Sequence, residues 1–152
     1  MAGRNWQTRH AVVVDDSGHY ETLGIAEQLV AEGADVTFVT PFKQIGFKVE
    51  NALMVEPVLE RIAYAAGRFT ILLRHRVRAV SGDTIEIAPT YPAPSSHLPC
   101  DTVVLVTPGA PLRTLYERLH GKVSTLAIVG DANSPRDLQK AIYEGHLAAR
   151  SC

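Results

Sequence analysis

The chain has 152 residues, a length for one domain or one and part of another, and 46% apolar against 20% charged residues is ordinary for a chain that buries a core. A formal charge of -1 and a pI near 6.6, with acids and bases interspersed, exclude recognition of nucleic acid or a membrane surface by bulk charge. Cys100 and Cys152 are too few and too far apart for a metal-ligand cluster, and no stretch approaches about 18 consecutive apolar residues. The expectation is a cytoplasmic protein with free thiols, no metal site and no membrane span.

Residues 1–10 read as a lead-in, polar apart from Trp6 and without a hydrophobic signal region. Ala11, Val12, Val13 and Val14 then form an unbroken apolar run rich in β-branched residues, which fits a central parallel strand covered on both faces. Leu23, Ala26, Leu29 and Val30 recur at helical spacing, Gly33 is placed to stop that helix, and Val36, Phe38 and Val39 start a second strand ended by Pro41. Strand, crossover helix and parallel strand within about thirty residues make a βαβ unit. Each larger apolar side chain its helix buries contributes roughly 1.5 to 3 kcal/mol.

The turn of this unit is Asp15, Asp16, Ser17, Gly18, His19 and Tyr20. A dinucleotide-binding turn carries G-x-G-x-x-G here, so that backbone can approach a pyrophosphate at the helix N-terminus. Only Gly18 is present, two carboxylates stand where attraction is needed, and Thr40 replaces the acid that would hold a ribose at the end of the second strand. His19 has the chemistry of a general acid or base, but the plainer reading is that His19 and Tyr20 shape the turn and cap the helix. Asp15 and Asp16 offer hard oxygens to a cation, yet no further ligands stand nearby, so a turn-stabilising role is preferred.

Residues 42–55 lack clean periodicity and read as a loop. A helix is expected over 58–66 from Leu59, Ile62, Ala63 and Ala66, with Gly67 as its stop. Strands follow at 69–73 and 76–80, and a turn at Ser81, Gly82 and Asp83 leads into 84–88, an antiparallel hairpin with one wet face. Arg74, His75, Arg76 and Arg78 form the one dense basic cluster, suited to a phosphate or an acidic partner but read as a solvated strand end. The proline-rich segment 89–99 reads as a loop, 102–106 as another buried strand and 111–119 as a short helix.

The last unit joins an expected buried strand at 126–129 to Gly130, Asp131 and Ala132. Ser134 is the N-cap candidate of a terminal helix and Pro135 its first residue, with Leu138, Ala141, Ile142, Gly145 and Ala149 on one face. Unpaired N–H groups at such a helix start suit an anion, and Asp131 suits a sugar hydroxyl.

Together, V-V-V-D-D-S-G-H-Y-E, V-T-F-V-T-P, D-T-V-V-L-V-T and I-V-G-D-A-N-S-P-R-D-L-Q-K-A-I-Y-E-G-H resemble the C-terminal region of the Old Yellow Enzyme-like NADH:flavin oxidoreductases, the family of trimethylamine dehydrogenase, histamine dehydrogenase and 2,4-dienoyl-CoA reductase. The resemblance runs from His10 almost to the end. It implies an α/β, Rossmann-like, FAD/NAD(P)-binding-type three-layer domain with a central parallel sheet and an antiparallel β-meander. Residues 11–107 would be the NAD(P)-binding-type domain, and 108–152 the final strand and helix of an outer FAD/ADP-binding-type domain. Gly130, Asp131, Ala132 and Arg136 would face FAD or ADP, with NAD(P)H a further candidate cofactor at the degenerate Asp15–Tyr20 turn.

The FMN barrel, its 4Fe-4S cluster ligands and the first Gly-rich βαβ of the outer domain have no counterpart here. The chain therefore reads as a fragment or a separately encoded piece with no catalytic residue of its own, partnered by an FMN-barrel portion or subunit and open to homo-oligomerisation. Against this redox-module reading stands a noncatalytic scaffold or interaction domain whose nucleotide site has decayed, and, third, an independent NAD(P)-dependent enzyme.

Overall fold

The computed structural model describes residues 7–151, so Trp6, Cys152 and most of the expected lead-in lie outside the described residues. The chain divides into two compact units, Met1–Thr107 and Pro108–Cys152.

In the first unit, β1 (His10–Asp15), α1 (Tyr20–Ala31) and β2 (Asp35–Thr40) form the expected βαβ unit. β1 lies between β2 and β7 (Thr102–Val106), and β3 (Phe69–Leu73) flanks β2, giving a four-stranded sheet in the order β3-β2-β1-β7 with every pair parallel. A second sheet runs antiparallel through β4 (His75–Ser81), β5 (Thr84–Pro89) and β6 (Ser96–Pro99).

The period of a strand explains why Ala11–Val14 of β1 are apolar without a break. Ala11 and Val13 face one way and pack with Leu23, Ala26 and Val30 of α1, with Phe38, and with Val55 and Ile62 of α2 (Val55–Ala63). Val12 and Val14 face the other way, onto Val39, Ile85, Ile87 and Cys100 of the meander side. Helices, parallel sheet and meander are thus three layers around two cores, an α/β architecture.

Several expectations need correction in this unit. Helix α2 starts three residues before the expected 58–66, because Val55 and Ile62, seven apart, are its two buried anchors, while Tyr64 is exposed. Its supposed stop, Gly67, has another reason to be glycine. Gly67 donates its N–H to Val30 O at 3.0 Å, and an added Cβ would lie 2.0 Å from Ala34 O, so no side chain fits. The loop at 42–55 contains a short 3-10 turn (Glu50–Ala52) and buries Ile45 and Val49.

The segment 89–99, expected to be a loop throughout, is closed by β6. Pro92 and Pro94 precede the strand, Leu98 pairs opposite Ile85, and Pro99 sits at its end. β7 is an edge strand rather than a fully buried one, with Leu105 59% exposed. Cys100 is a buried free thiol, pushed up from its ordinary pKa by burial, with Asp101 and Asp83 adding to the effect.

The second unit departs further from expectation. α3 is Thr114–Leu119, without the residues at 111–113. Residues 126–129 are not a strand in the described structure and none of them is buried. A short 3-10 turn (Gly130–Ala132) follows, and α4 (Leu138–Arg150) begins at Asp137, whose carboxylate accepts the Lys140 N–H at 2.7 Å. Asp137, not Ser134, is therefore the N-cap, and Pro135 lies before the helix instead of in its first turn. Among the described residues of this unit only Gly130 is buried. No described helix is long and apolar enough to cross a membrane.

Candidate functional site

The β1–α1 turn is built around Asp15, which is buried at the end of β1. Its Oδ1 accepts hydrogen bonds from Gly18 N at 2.8 Å, Thr22 Oγ1 at 2.9 Å, Ser17 Oγ at 3.1 Å and Ser17 N at 3.2 Å. Thr40, at the end of β2, donates to Asp15 O at 3.1 Å and lies 3.3 Å from Oδ2. The N–H groups that a turn of this kind would present to a phosphate thus point at the protein's own carboxylate.

Aromatic rings fill the space above. Gly18 has φ +68°, and a Cβ there would lie 2.2 Å from Cε1 of Phe47 and 3.2 Å from Cε2 of Phe42, two rings packed at a centroid distance of 4.4 Å. His19 occupies the N-cap position of α1 without bonding the helix end, and its Nδ1 meets Glu21 Oε2 at 2.9 Å. Tyr20 stacks obliquely on His19, with ring centroids 4.8 Å apart, and is half exposed. Asp16 donates its N–H to Val106 O at 3.0 Å and its carboxylate lies 3.9 Å from the Arg76 guanidinium. The structure thus brings Asp15, Ser17 and Gly18 together as a self-contained turn and pairs the His19 ring with the Glu21 carboxylate beside it.

The basic cluster runs from the β3–β4 junction into β4. Arg74 takes φ +55° at the junction of β3 and β4, His75 Nδ1 lies 2.7 Å from Leu73 O, Arg76 pairs with Asp16, and Arg78 is exposed. Among the described residues no group of three or more His, Cys, Asp or Glu side chains is placed to hold a metal.

In the second unit the candidate site is the turn at Gly130. Gly130 has φ +61° and its carbonyl accepts the Asn133 and Ser134 N–H groups, both at 2.9 Å, which closes the chain ahead of α4. A Cβ on Gly130 would stand 3.2 Å from the Cβ of Ala141, so the helix lies close over the turn. The Gly130 N–H donates to Glu144 Oε2 at 2.9 Å. The other Glu144 oxygen takes a short hydrogen bond from Arg136, whose Nε also donates to Ser134 O at 3.2 Å. Arg113 ties down Asn133 O at 2.6 Å.

Asp131 is exposed and Ala132 half-buried. Burial pushes the Glu144 carboxyl up, but the Gly130 N–H, the Arg136 charge and side-chain hydrogen bonds from Asn133 and Arg136 outweigh it and hold the group below the usual carboxylate range. Beside the turn runs an open apolar groove of about 580 Å³ lined by Leu115, Leu119, Leu126, Ile128, Val129 and Ala132. Sequence reasoning missed Glu144. The signal was there, a carboxylate interrupting the stripe of small residues Ala141, Gly145 and Ala148 on α4.

No protein-family model matches the chain. It is 43% identical over 52 residues to a metal reductase of Desulforamulus reducens, covering 34% of this chain and 8% of that protein. It is 37% identical over 59 residues to dimethylamine dehydrogenase of a Hyphomicrobium species, again 34% of this chain and 8% of the relative. The structure of histamine dehydrogenase from Rhizobium sp. 4-9 superposes with a TM-score of 0.83 and 26% identity over 94% of this chain, which spans 23% of that protein. The chain is thus under a quarter of the length of these dehydrogenase and reductase relatives. In fold and in sequence it resembles the C-terminal region of the trimethylamine dehydrogenase and histamine dehydrogenase family.

Proposed function

We propose that the chain is the C-terminal nucleotide-binding-type portion of a flavin-dependent oxidoreductase of the amine dehydrogenase or dienoyl-CoA reductase type, working in the cytoplasm. FMN and a 4Fe-4S cluster, which would carry the electrons, belong to a barrel portion or partner subunit and not to these residues. The observation that carries this reading is the likeness to histamine dehydrogenase along 94% of the chain. A second supports it: Leu112, Leu115, Leu138, Ile142, Tyr143 and Leu147 are exposed in a unit whose only buried described residue is Gly130. Apolar surface on that scale asks for a covering protein.

FAD or ADP is the cofactor that fits. The turn at Gly130, Asp131, Ala132 and Arg136 has a left-handed glycine that reverses the chain under α4, and beside it an exposed carboxylate able to accept hydrogen bonds from ribose or ribityl hydroxyls. Bound there, the flavin or adenine nucleotide would supply a redox group or a structural anchor respectively, and Asp131 would orient its sugar. NAD(P)H does not fit the Asp15–Tyr20 turn, where Asp15, Phe42 and Phe47 occupy the place of a pyrophosphate.

Calorimetric titration of the chain with ADP, FAD and NADPH, alone and mixed with the barrel portion of its parent enzyme, tests this reading. ADP or FAD binding is expected to be weak or absent alone and strong in the mixture. A micromolar FAD complex of the chain alone, or no nucleotide binding in either setting, overturns it.

The second reading, a noncatalytic scaffold or interaction domain, draws on the self-filled Asp15 turn. It requires that no nucleotide binds even when the barrel portion is present.

A further inference from the structure

Among the described residues of the second unit, Glu144 is the carboxylate that reaches back from α4 to the Gly130 turn, and it does so with both oxygens. Oε2 accepts the Gly130 N–H while Oε1 takes the Arg136 guanidinium, so a single side chain fixes the start of the turn and the arginine after it. Gly130 is held at φ +61°, the conformation from which Asp131 projects to solvent. Polar and charged groups reach Glu144 and its turn from several places, Arg113 among them through the Asn133 carbonyl. Arg136 comes from the loop before α4, the Asn133 side chain from the turn, and Lys140, one helical turn earlier on α4, has its ammonium over the Tyr143 ring at 4.9 Å.

We propose that Glu144 is the positioning residue of the Gly130–Asp131 turn and that Arg136, neutralised by Glu144, serves as its strut rather than as a phosphate ligand. The Gly130 N–H and the Arg136 guanidinium are already spent on an internal anion and Arg113 on the Asn133 carbonyl, so a nucleotide is recognised here through its sugar hydroxyls on Asp131 and not through the charge of its phosphates. This specificity rests on the reading of the turn as a nucleotide site. The positioning role does not.

The test follows the Gly130 amide of the 15N-labelled full chain by NMR in the wild type, Glu144→Gln and Arg136→Gln, first against pH and then against adenosine and ADP. In the wild type the Gly130 amide is expected to shift with a midpoint below the ordinary glutamate range. The shift is lost in Glu144→Gln, and its midpoint rises in Arg136→Gln. A Gly130 amide flat with pH in the wild type, or a midpoint unmoved by Arg136→Gln, overturns the positioning role.

In the ligand arm, run with the barrel portion of the parent enzyme added, adenosine and ADP are expected to perturb the Asp131 amide with affinities within about threefold of each other. Arg136→Gln should leave that ratio unchanged. A loss of about tenfold or more in ADP affinity alone, equivalent to about 1.4 kcal/mol, makes Arg136 a phosphate ligand and overturns the inference. No perturbation by either nucleotide, with the pH response intact, overturns the nucleotide reading of the turn and leaves Glu144 as the residue that positions it.

Discussion

Asp15 and Thr22 lie seven residues apart and are joined by a hydrogen bond of 2.9 Å between two fully buried side chains, tying the end of β1 to the first turn of α1. Thr22→Val keeps the shape and removes the donor, and is expected to cost about 1.5 kcal/mol, the usual contribution of a hydrogen bond to a charged group. Asp15→Ala strands Ser17, Gly18, Thr22 and Thr40 together and should cost about 3 kcal/mol or more. Urea unfolding of the two variants decides the matter. Equal losses would mean that the carboxylate is not the centre of the turn.

Two glycines of the first unit should respond in opposite directions. Gly67→Ala forces a methyl group against the Ala34 carbonyl at 2.0 Å, backbone against side chain, and is expected to destabilise by about 2 to 4 kcal/mol. Gly24→Ala, inside α1 with nothing within 4 Å of its new Cβ, should stabilise by about 0.5 to 1 kcal/mol. Thermal melts of the pair read the contrast directly.

An acid limb is built into the first unit by its surface ion pairs. The Asp35 carboxyl is held below its ordinary value of 3.8, first by the hydrogen bond from the Arg68 side chain, and Glu27 below 4.5, first by Arg61. A carboxylate with a lower pKa folded than unfolded stabilises the fold above its unfolded value. That contribution disappears as the pH falls through the folded value. Melting midpoints should therefore drop below about pH 4.5, and Asp35→Asn with Glu27→Gln should flatten the drop. In both pairs the arginine is exposed and the carboxylate only partly covered, so added salt should shrink the effect as well. A slope unchanged in the double variant would locate the acid sensitivity elsewhere.

NADPH is expected to leave the melting midpoint of the chain unchanged. A ligand present at about 100 times its Kd would add roughly 2.7 kcal/mol, an easily measured shift. Removing the overlying ring in Phe47→Ala should not create binding, because Asp15 still occupies the Gly18 N–H at 2.8 Å. A shift with NADPH in the wild type would mean that the turn can open.

The first unit was largely legible in the sequence because its elements carry their own signals. Val12 and Val13 announce a strand with two buried faces, and Leu23, Ala26 and Val30 give the helical stripe that meets one of them. What escaped was tertiary in origin. The start of α2 depends on where Val55 finds a pocket, and β6 exists because Leu98 has Ile85 to pair with, neither of which is written in local period or propensity. The inward aim of Asp15 was foreseen only as a turn-stabilising role. The cage of four donor residues could not be foreseen, because Thr22 and Thr40 reach it from separate elements.

In the second unit the apolar pattern at 126–129 reads as a strand, yet a strand needs a neighbour and the described residues supply none. The carboxylate of Glu144 stands out among the small residues of α4, but its partner was hidden for a related reason. A residue fourteen positions after the glycine it serves leaves no spacing rule to follow.

The bare faces of α4 bear on how the molecule breathes. With no buried residue along Leu138–Arg150, that helix is held by its own backbone ladder, the Asp137 cap, the approach of Ala141 to Gly130 and the Glu144 clasp, without a core beneath it. Deuterium should enter its amides early, while those of β1, enclosed between two cores, hold their protons until the whole first unit comes apart.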